Sequence, residues 1–198
     1  MTRGIRNNNP LNIRRGTSRW VGRREIVTDK EFEEFTTMAF GYRAAWKLME
    51  TYQLRLRQEG KSYTLENIIH RWAPPEDGND TRAYLRTVIR LLDYKVAGRQ
   101  PLPSPRTKEG HRVFARILMA MTCVECGIRP DEVDRESIER GWELATSGHA
   151  ALISQTQMTR MTQIESGPCG GKSPTLSTHE KGHPMFGVPF VYSLVASN

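Results

Sequence analysis

The sequence predicts a mainly α fold, formally α+β, with a small N-terminal β-hairpin and a flexible C-terminal tail. Three observations point there. Apolar residues recur at helical spacing in successive stretches between residues 40 and 145. Residues 1–28 lack that period and are rich in turn formers. After about residue 147 the chain turns to Ser, Thr, Gly, Pro and His with no period at all. With 198 residues, 37% hydrophobic, and a mean hydropathy of −0.58, one moderate core is expected. The expected organisation is a single helical domain over 1–146 and a disordered or loosely packed tail over 147–198.

In the first segment, Asn7-Asn8-Asn9-Pro10, Gly16 and Gly22 mark turns. Short extended pieces near Leu11–Ile13 and Glu25–Val27 are expected to pair as the hairpin. From Phe40 to Gln58, residues Tyr42, Ala45, Trp46, Met49, Tyr52 and Leu56 form one apolar helical face, and Gly60 supplies a stop. Thr64 caps a short helix that buries Leu65, Ile68, Ile69 and Trp72. Ala73-Pro74-Pro75 ends it, because proline cannot donate the helical hydrogen bond. Asp80 or Thr81 caps a third helix with Tyr84, Leu85, Val88, Ile89 and Leu92 inward. After a proline-rich linker, a helix over Thr107–Cys126 carries Val113, Ile117, Leu118, Met121 and Val124 on one stripe, with Gly127 as C-cap. A last helix is expected over Asp134–Ala145. The final FGVPFVYSLVAS is apolar, short and able to add as a strand.

Lys and Arg total 29 against 22 Asp and Glu, a formal charge of +7. The excess is uneven: residues 1–24 hold Arg3, Arg6, Arg14, Arg15, Arg19, Arg23 and Arg24 and no acid. Such a patch attracts polyanions, and both nucleic acid and the anionic bacterial envelope qualify. The alternative is a solvated basic face. No apolar run reaches membrane-spanning length, and the basic N-terminus lacks the apolar stretch of a secretory signal. Three cysteines, Cys123, Cys126 and Cys169, suit a reduced cytosolic chain better than a disulfide scaffold.

Several motifs bear on chemistry. Cys123-x-x-Cys126 and His179-x-x-x-His183 have zinc-ligand spacings, but the gap between the pairs is long and both thiols fall on a helical stripe, so core packing is the better account. Gly167-Pro-Cys-Gly-Gly-Lys172-Ser173 is one residue short of a phosphate loop and lacks the strand–loop–helix frame. No metal and no cofactor is therefore expected. Arg82, Arg86 and Arg90 form an i, i+4 stripe able to face phosphates, although the segment APPEDGND is too long for a helix-turn-helix turn.

One constellation suits a sugar polymer. Asn8, Asn9 and Asn12 supply amides, Trp20 and Trp72 flat apolar faces, and Asn79, Thr81 and Tyr84 further hydrogen-bonding groups. Turn asparagines and core tryptophans explain the same residues without a ligand. Cleaving a glycosidic bond also needs a protonated acid and usually a second carboxylate. The nearest acids are Glu25, Asp29, Glu31, Glu33 and Glu34, with Glu25 the first candidate and Asp29 the second.

RGIRNNNPLNIRRGTSRWVG, DKEFEEFTTMAFGYRAAWKLMETY and TLENIIHRWAPPEDGNDTRAYLRTV together resemble a group of small phage and prophage proteins described as virion structural proteins. The likeness runs through most of residues 3–92 and more loosely to about 145. A more distant likeness links Asn8–Ile13, Trp20–Gly22 and Phe35–Tyr52 to bacterial cell-wall glucosaminidases of the lysozyme-like superfamily. That resemblance implies a lysozyme-like helical fold acting on peptidoglycan glycan strands, with Glu25 or Asp29 near the hairpin carboxylate. Those enzymes carry their essential glutamate at the end of a helix upstream of the asparagine loop, and Met1–Asn7 contains no acid. The expected function is a phage-derived, virion-associated protein acting on peptidoglycan, with a glycosidase as one form of it. Alternatives are an inactive virion structural or assembly protein, and a nucleic-acid binder using the N-terminal arginines. Partners would be glycan strands or other virion proteins, and the location the virion or the bacterial cytoplasm.

Overall fold

A computed structural model describes residues 1–147. The tail, with its apolar end, the Gly167–Ser173 loop, Cys169, His179 and His183, lies outside the described residues, and so do the expectations resting on it. The elements are α1 (Arg3–Arg6), α2 (Met38–Gln58), α3 (Leu65–Trp72), a 3-10 turn (Pro75–Asp77), α4 (Thr81–Leu91), α5 (Lys108–Cys126) and α6 (Arg135–Thr146).

The helices α2 to α6 begin where short polar side chains can satisfy orphan N–H groups. Thr37, Thr64, Asp80, Thr107 and Asp134 accept from the backbone N–H of Phe40, Asn67, Ala83, Gly110 and Ser137. Gly127, at φ 60°, closes α5 in the left-handed region. Asp80, not Thr81, caps α4; the Thr81 hydroxyl instead donates to Ala73 O at 2.6 Å, tying the start of α4 to the end of α3.

The core centres on α2. Tyr42, Ala45, Trp46, Met49, Tyr52 and Leu56 are all buried there, as the helical spacing requires. α6 lies along α2, and α3 and α5 close the remaining sides. Trp46 Nε1 donates to Ile138 O at 3.1 Å, and the Tyr42 hydroxyl meets Thr122 Oγ1 at 3.0 Å, so both polar tips in the core are satisfied. Two glycines permit the closest approaches. A Cβ on Gly141 would stand 2.7 Å from Tyr42 Cβ, where α6 crosses α2. One on Gly41 would collide with Asn8 O, where the asparagine loop lies across α2.

The N-terminal region corrects the expectation of a β-hairpin. Among the described residues there is no strand, only isolated antiparallel bridges such as Arg14–Phe32 and Arg23–Phe35. Leu11–Ile13 does not pair with Glu25–Val27, and Ile26 is exposed. It pairs with residues 31–33 instead, through Glu33 N to Ile13 O at 2.9 Å and Arg15 N to Glu31 O at 2.8 Å. The ladder stops there because an asparagine side chain occupies it. Asn9 Nδ2 donates to Ile13 O and Glu33 O, each at 2.9 Å, while Asn9 Oδ1 accepts from Ile13 N. An amide in that place satisfies the backbone without continuing a strand. The one-turn helix α1 is a further departure from the expected irregular start.

Candidate functional site

The residues singled out in the sequence separate into two polar clusters. The first joins the asparagine loop to residues 28–36. Asn7 Nδ2 donates to Asp29 Oδ2 at 2.7 Å, and Asn8 Nδ2 donates to Phe35 O and Thr36 O at 3.1 and 3.2 Å. Asn8 and Asn12 adopt left-handed backbone, φ 51° and 49°, which asparagine tolerates better than most residues. Asn9 is fully buried. These amides hold the protein's own backbone and the Asp29 carboxylate, and Asn9 is left with no group to offer a sugar.

Asp29 is buried in the same cluster. Arg3 grips it with Nε and Nη2 at 2.7 and 2.6 Å, and the backbone N–H groups of Glu31 and Phe32 add to the grip. The Arg3 guanidinium in particular, with these N–H groups and Asn7, holds the Asp29 carboxyl well below the usual carboxylate range. A group so firmly ionised does not deliver a proton to a leaving oxygen; Asp29 braces the loop. It borders a shallow, charged hollow of about 500 Å3 with Arg6, Thr28 and Lys30. Glu25 is exposed and forms no hydrogen bond or ion pair among the described residues.

Two further acids, Glu33 and Glu34, are buried. Burial pushes the Glu33 carboxyl up, against the pull of Arg23, whose Nε lies 2.9 Å from Oε2 but out of line for a hydrogen bond. Burial also acts on Glu34, but there it is outweighed by hydrogen bonds from the Thr28 hydroxyl and the N–H groups of Asp29 and Thr28, so this carboxyl sits below its ordinary value. The N-terminal arginines are thus largely committed: Arg3 to Asp29 and Glu31, Arg23 to Glu33, Arg24 to Glu34, and Arg15 to Asp29 O. The basic patch is far less bare than the run of arginines suggests.

The second cluster gathers on Glu125, a half-buried residue on the last turn of α5. Trp72 Nε1 donates to Glu125 Oε1 at 2.8 Å, and the Tyr84 hydroxyl donates to the same oxygen at 3.0 Å. Asn12 Nδ2 reaches Glu125 Oε2 and the Glu125 carbonyl, both at 3.1 Å. Burial pushes the Tyr84 phenol well up, with the Glu125 carboxylate adding to the effect, so it stays a donor. Asn12 Oδ1 is buried with no hydrogen-bond partner among the described residues.

The two tryptophans expected to supply flat faces sit differently. Trp72 is fully buried, edge-on to Tyr52 with ring centroids 6.5 Å apart, and its faces are closed to a sugar. Trp20 is half-buried against the core. Asn79 holds Pro74 O at 3.1 Å and shapes the turn before α4. Three of the singled-out residues, Asn12, Trp72 and Tyr84, do converge, but around an acid the sequence reading passed over. A signal was present: Glu125 follows Phe114, Leu118 and Met121 on the inner stripe of α5, where an unpaired charge would be costly.

Cys123 and Cys126 are buried free thiols, and Cys126 Sγ donates to Pro10 O at 3.2 Å. Among the described residues no group of acids, histidines and cysteines is placed to hold a metal ion, and no helix is long and apolar enough to cross a membrane.

No family model matches the chain. Over 144 residues, spanning 71% of this chain and 80% of its relative, it is 35% identical to Protein P5 of Pseudoalteromonas phage PM2. A likeness of that depth and coverage places the chain in the same family as this phage protein.

Proposed function

We propose that the chain is a virion-associated protein of a phage or prophage, serving a structural or assembly role beside other virion proteins. The observation that carries this reading is the kinship with Protein P5 of phage PM2 across most of both chains. The site chemistry agrees with it. Asp29 is spent on bracing, Asn9 and Trp72 are enclosed, and Arg3, Arg23 and Arg24 of the first segment are paired with acids at 29–34. The test is to purify particles by density gradient from a host producing the phage and to measure this chain by mass spectrometry. Enrichment with the particles supports the role; recovery only in the soluble lysate overturns it.

The Glu125 cluster favours a second reading, a lysozyme-like protein that engages peptidoglycan glycan strands. The resembling enzymes place their acid at a helix end before the asparagine loop. Here Glu125 stands at the end of α5 and touches Asn12 of that loop, though the two are 113 residues apart in the chain. Glu125 would then be the carboxylate that faces the glycosidic bond, with Trp72 and Tyr84 fixing its orientation and an oxocarbenium-like transition state developing beside it. Clearing of purified peptidoglycan by the wild type, lost in Glu125→Gln and kept in Glu25→Gln, supports this. No clearing by the wild type removes it and leaves the virion role standing.

A further inference from the structure

We propose that the outer face of α4, together with Tyr94, is a binding surface for single-stranded nucleic acid. This goes beyond the virion role, since a particle protein need not touch nucleic acid.

Arg82, Arg86 and Arg90 are all exposed, and none forms a hydrogen bond or ion pair among the described residues. On a helix they stand one turn apart, about 6 Å of rise per step. The acids near them are already engaged. Asp80 caps the helix by accepting from Ala83 N, and Asp93 lies 3.8 Å from Lys95. The result is a row of unspent guanidinium groups on a rigid element, a pattern that tracks a phosphate backbone.

Four residues past Arg90 the chain carries an exposed tyrosine. Just past α4, Asp93 and Tyr94 both adopt left-handed backbone, φ 51° and 56°. Tyr94 N donates back to Ile89 O at 3.1 Å, closing the helix end. For a tyrosine that conformation is unfavourable, and the residue is 73% exposed. Leu85, Val88, Ile89 and Leu92 all pack on the core instead. A solvent-facing ring four residues past the last of these arginines offers a base a stacking platform while the phosphates meet the cations. Paired bases in a duplex are not open to that ring. A lipid surface would want apolar side chains among the arginines, and this face of α4 shows none.

The test uses the full chain and a fluorescent oligo-dT, with anisotropy read across a salt series. The wild type should bind oligo-dT in preference to a duplex of equal length. Removing all three arginines (R82A, R86A and R90A together) should weaken binding and flatten the slope of log affinity against log salt by about 2, at about 0.7 for each phosphate no longer neutralised. Tyr94→Asn, which tolerates the left-handed backbone, should cost about tenfold in affinity, and Tyr94→Phe should restore it. Arg6→Ala with Arg19→Ala, both exposed and near the start of the chain, should change nothing. The proposal is overturned if oligo-dT does not bind at low salt, if the triple variant keeps the wild-type slope, or if the Arg6 and Arg19 pair carries the loss. Equal binding of the duplex, or capture of phosphatidylglycerol-rich vesicles in place of oligo-dT, overturns it as well.

Discussion

Arginines at the N-terminal segment and on α4 face opposite circumstances. In the first, Arg3, Arg23 and Arg24 reach acids at positions 29–34, and three of those acids, Asp29, Glu33 and Glu34, are buried. On α4, Arg82, Arg86 and Arg90 are exposed, with no ion pair to an acid among the described residues. The denser cluster in the sequence is therefore the less available one. Counting charges along a chain locates arginines; only the fold decides which remain free to meet a partner.

The sharpest way to strain that contrast is to remove an acid that the N-terminal arginines hold. Asp29→Ala strips Arg3 and Asn7 of their shared acceptor and should cost about 3 kcal/mol in denaturant unfolding, the low end for a buried pair because Arg3 stays partly in water. Arg23→Ala leaves Glu33 enclosed without a counter-charge and should cost about 2 kcal/mol at pH 7. That deficit should shrink below about pH 4, where Glu33 is protonated in folded and unfolded chains alike and needs no cation. An unchanged deficit across that range would show that Arg23 acts through packing alone.

Acid titration separates the carboxylates by sign. Asp29 and Glu34 are held below their ordinary values in the folded chain, so their stabilisation is complete above the unfolded carboxylate range, about pH 4, and is lost as pH falls further. Glu33 is held above its ordinary value, so it costs stability as pH rises through that range. Thermal unfolding of Glu33→Gln against wild type should show the variant gaining relative stability from about pH 4 to pH 7. The smallest effect belongs to α4: replacing Arg82, Arg86 and Arg90 by alanine should change stability by no more than about 0.5 kcal/mol, because nothing in the fold leans on them. A larger loss would mean that they support the helix rather than await a partner.

The helices were legible because their signals are local. Thr64, Thr107 and Asp134 cap within three residues of the N–H groups they serve, and the stripe from Tyr42 to Leu56 repeats at helical spacing. The first segment was not legible, because its order comes from side-chain amides bonding to backbone more than 20 positions away, as Asn9 does with Glu33 and Asn8 with Phe35. Nothing beside Glu33 and Glu34 in the sequence announces that Arg23 and Arg24 pair with them. Glu125 has a local signal in its place on the inner stripe of α5, but its partners have none. Its partners Trp72, Tyr84 and Asn12 stand 53, 41 and 113 positions off.

The Asn12–Glu125 pairing also sets an order of events during synthesis. Asn12 leaves the ribosome 113 residues ahead of Glu125, a delay of roughly ten seconds at ordinary translation rates. Throughout that interval the asparagine loop lacks the carboxylate and carbonyl that its amide will eventually hold. Nascent chains halted before α5 emerges should leave that loop open to proteases, and chains released after it should close it. The last turn of one helix thus acts as the latch for a segment made long before.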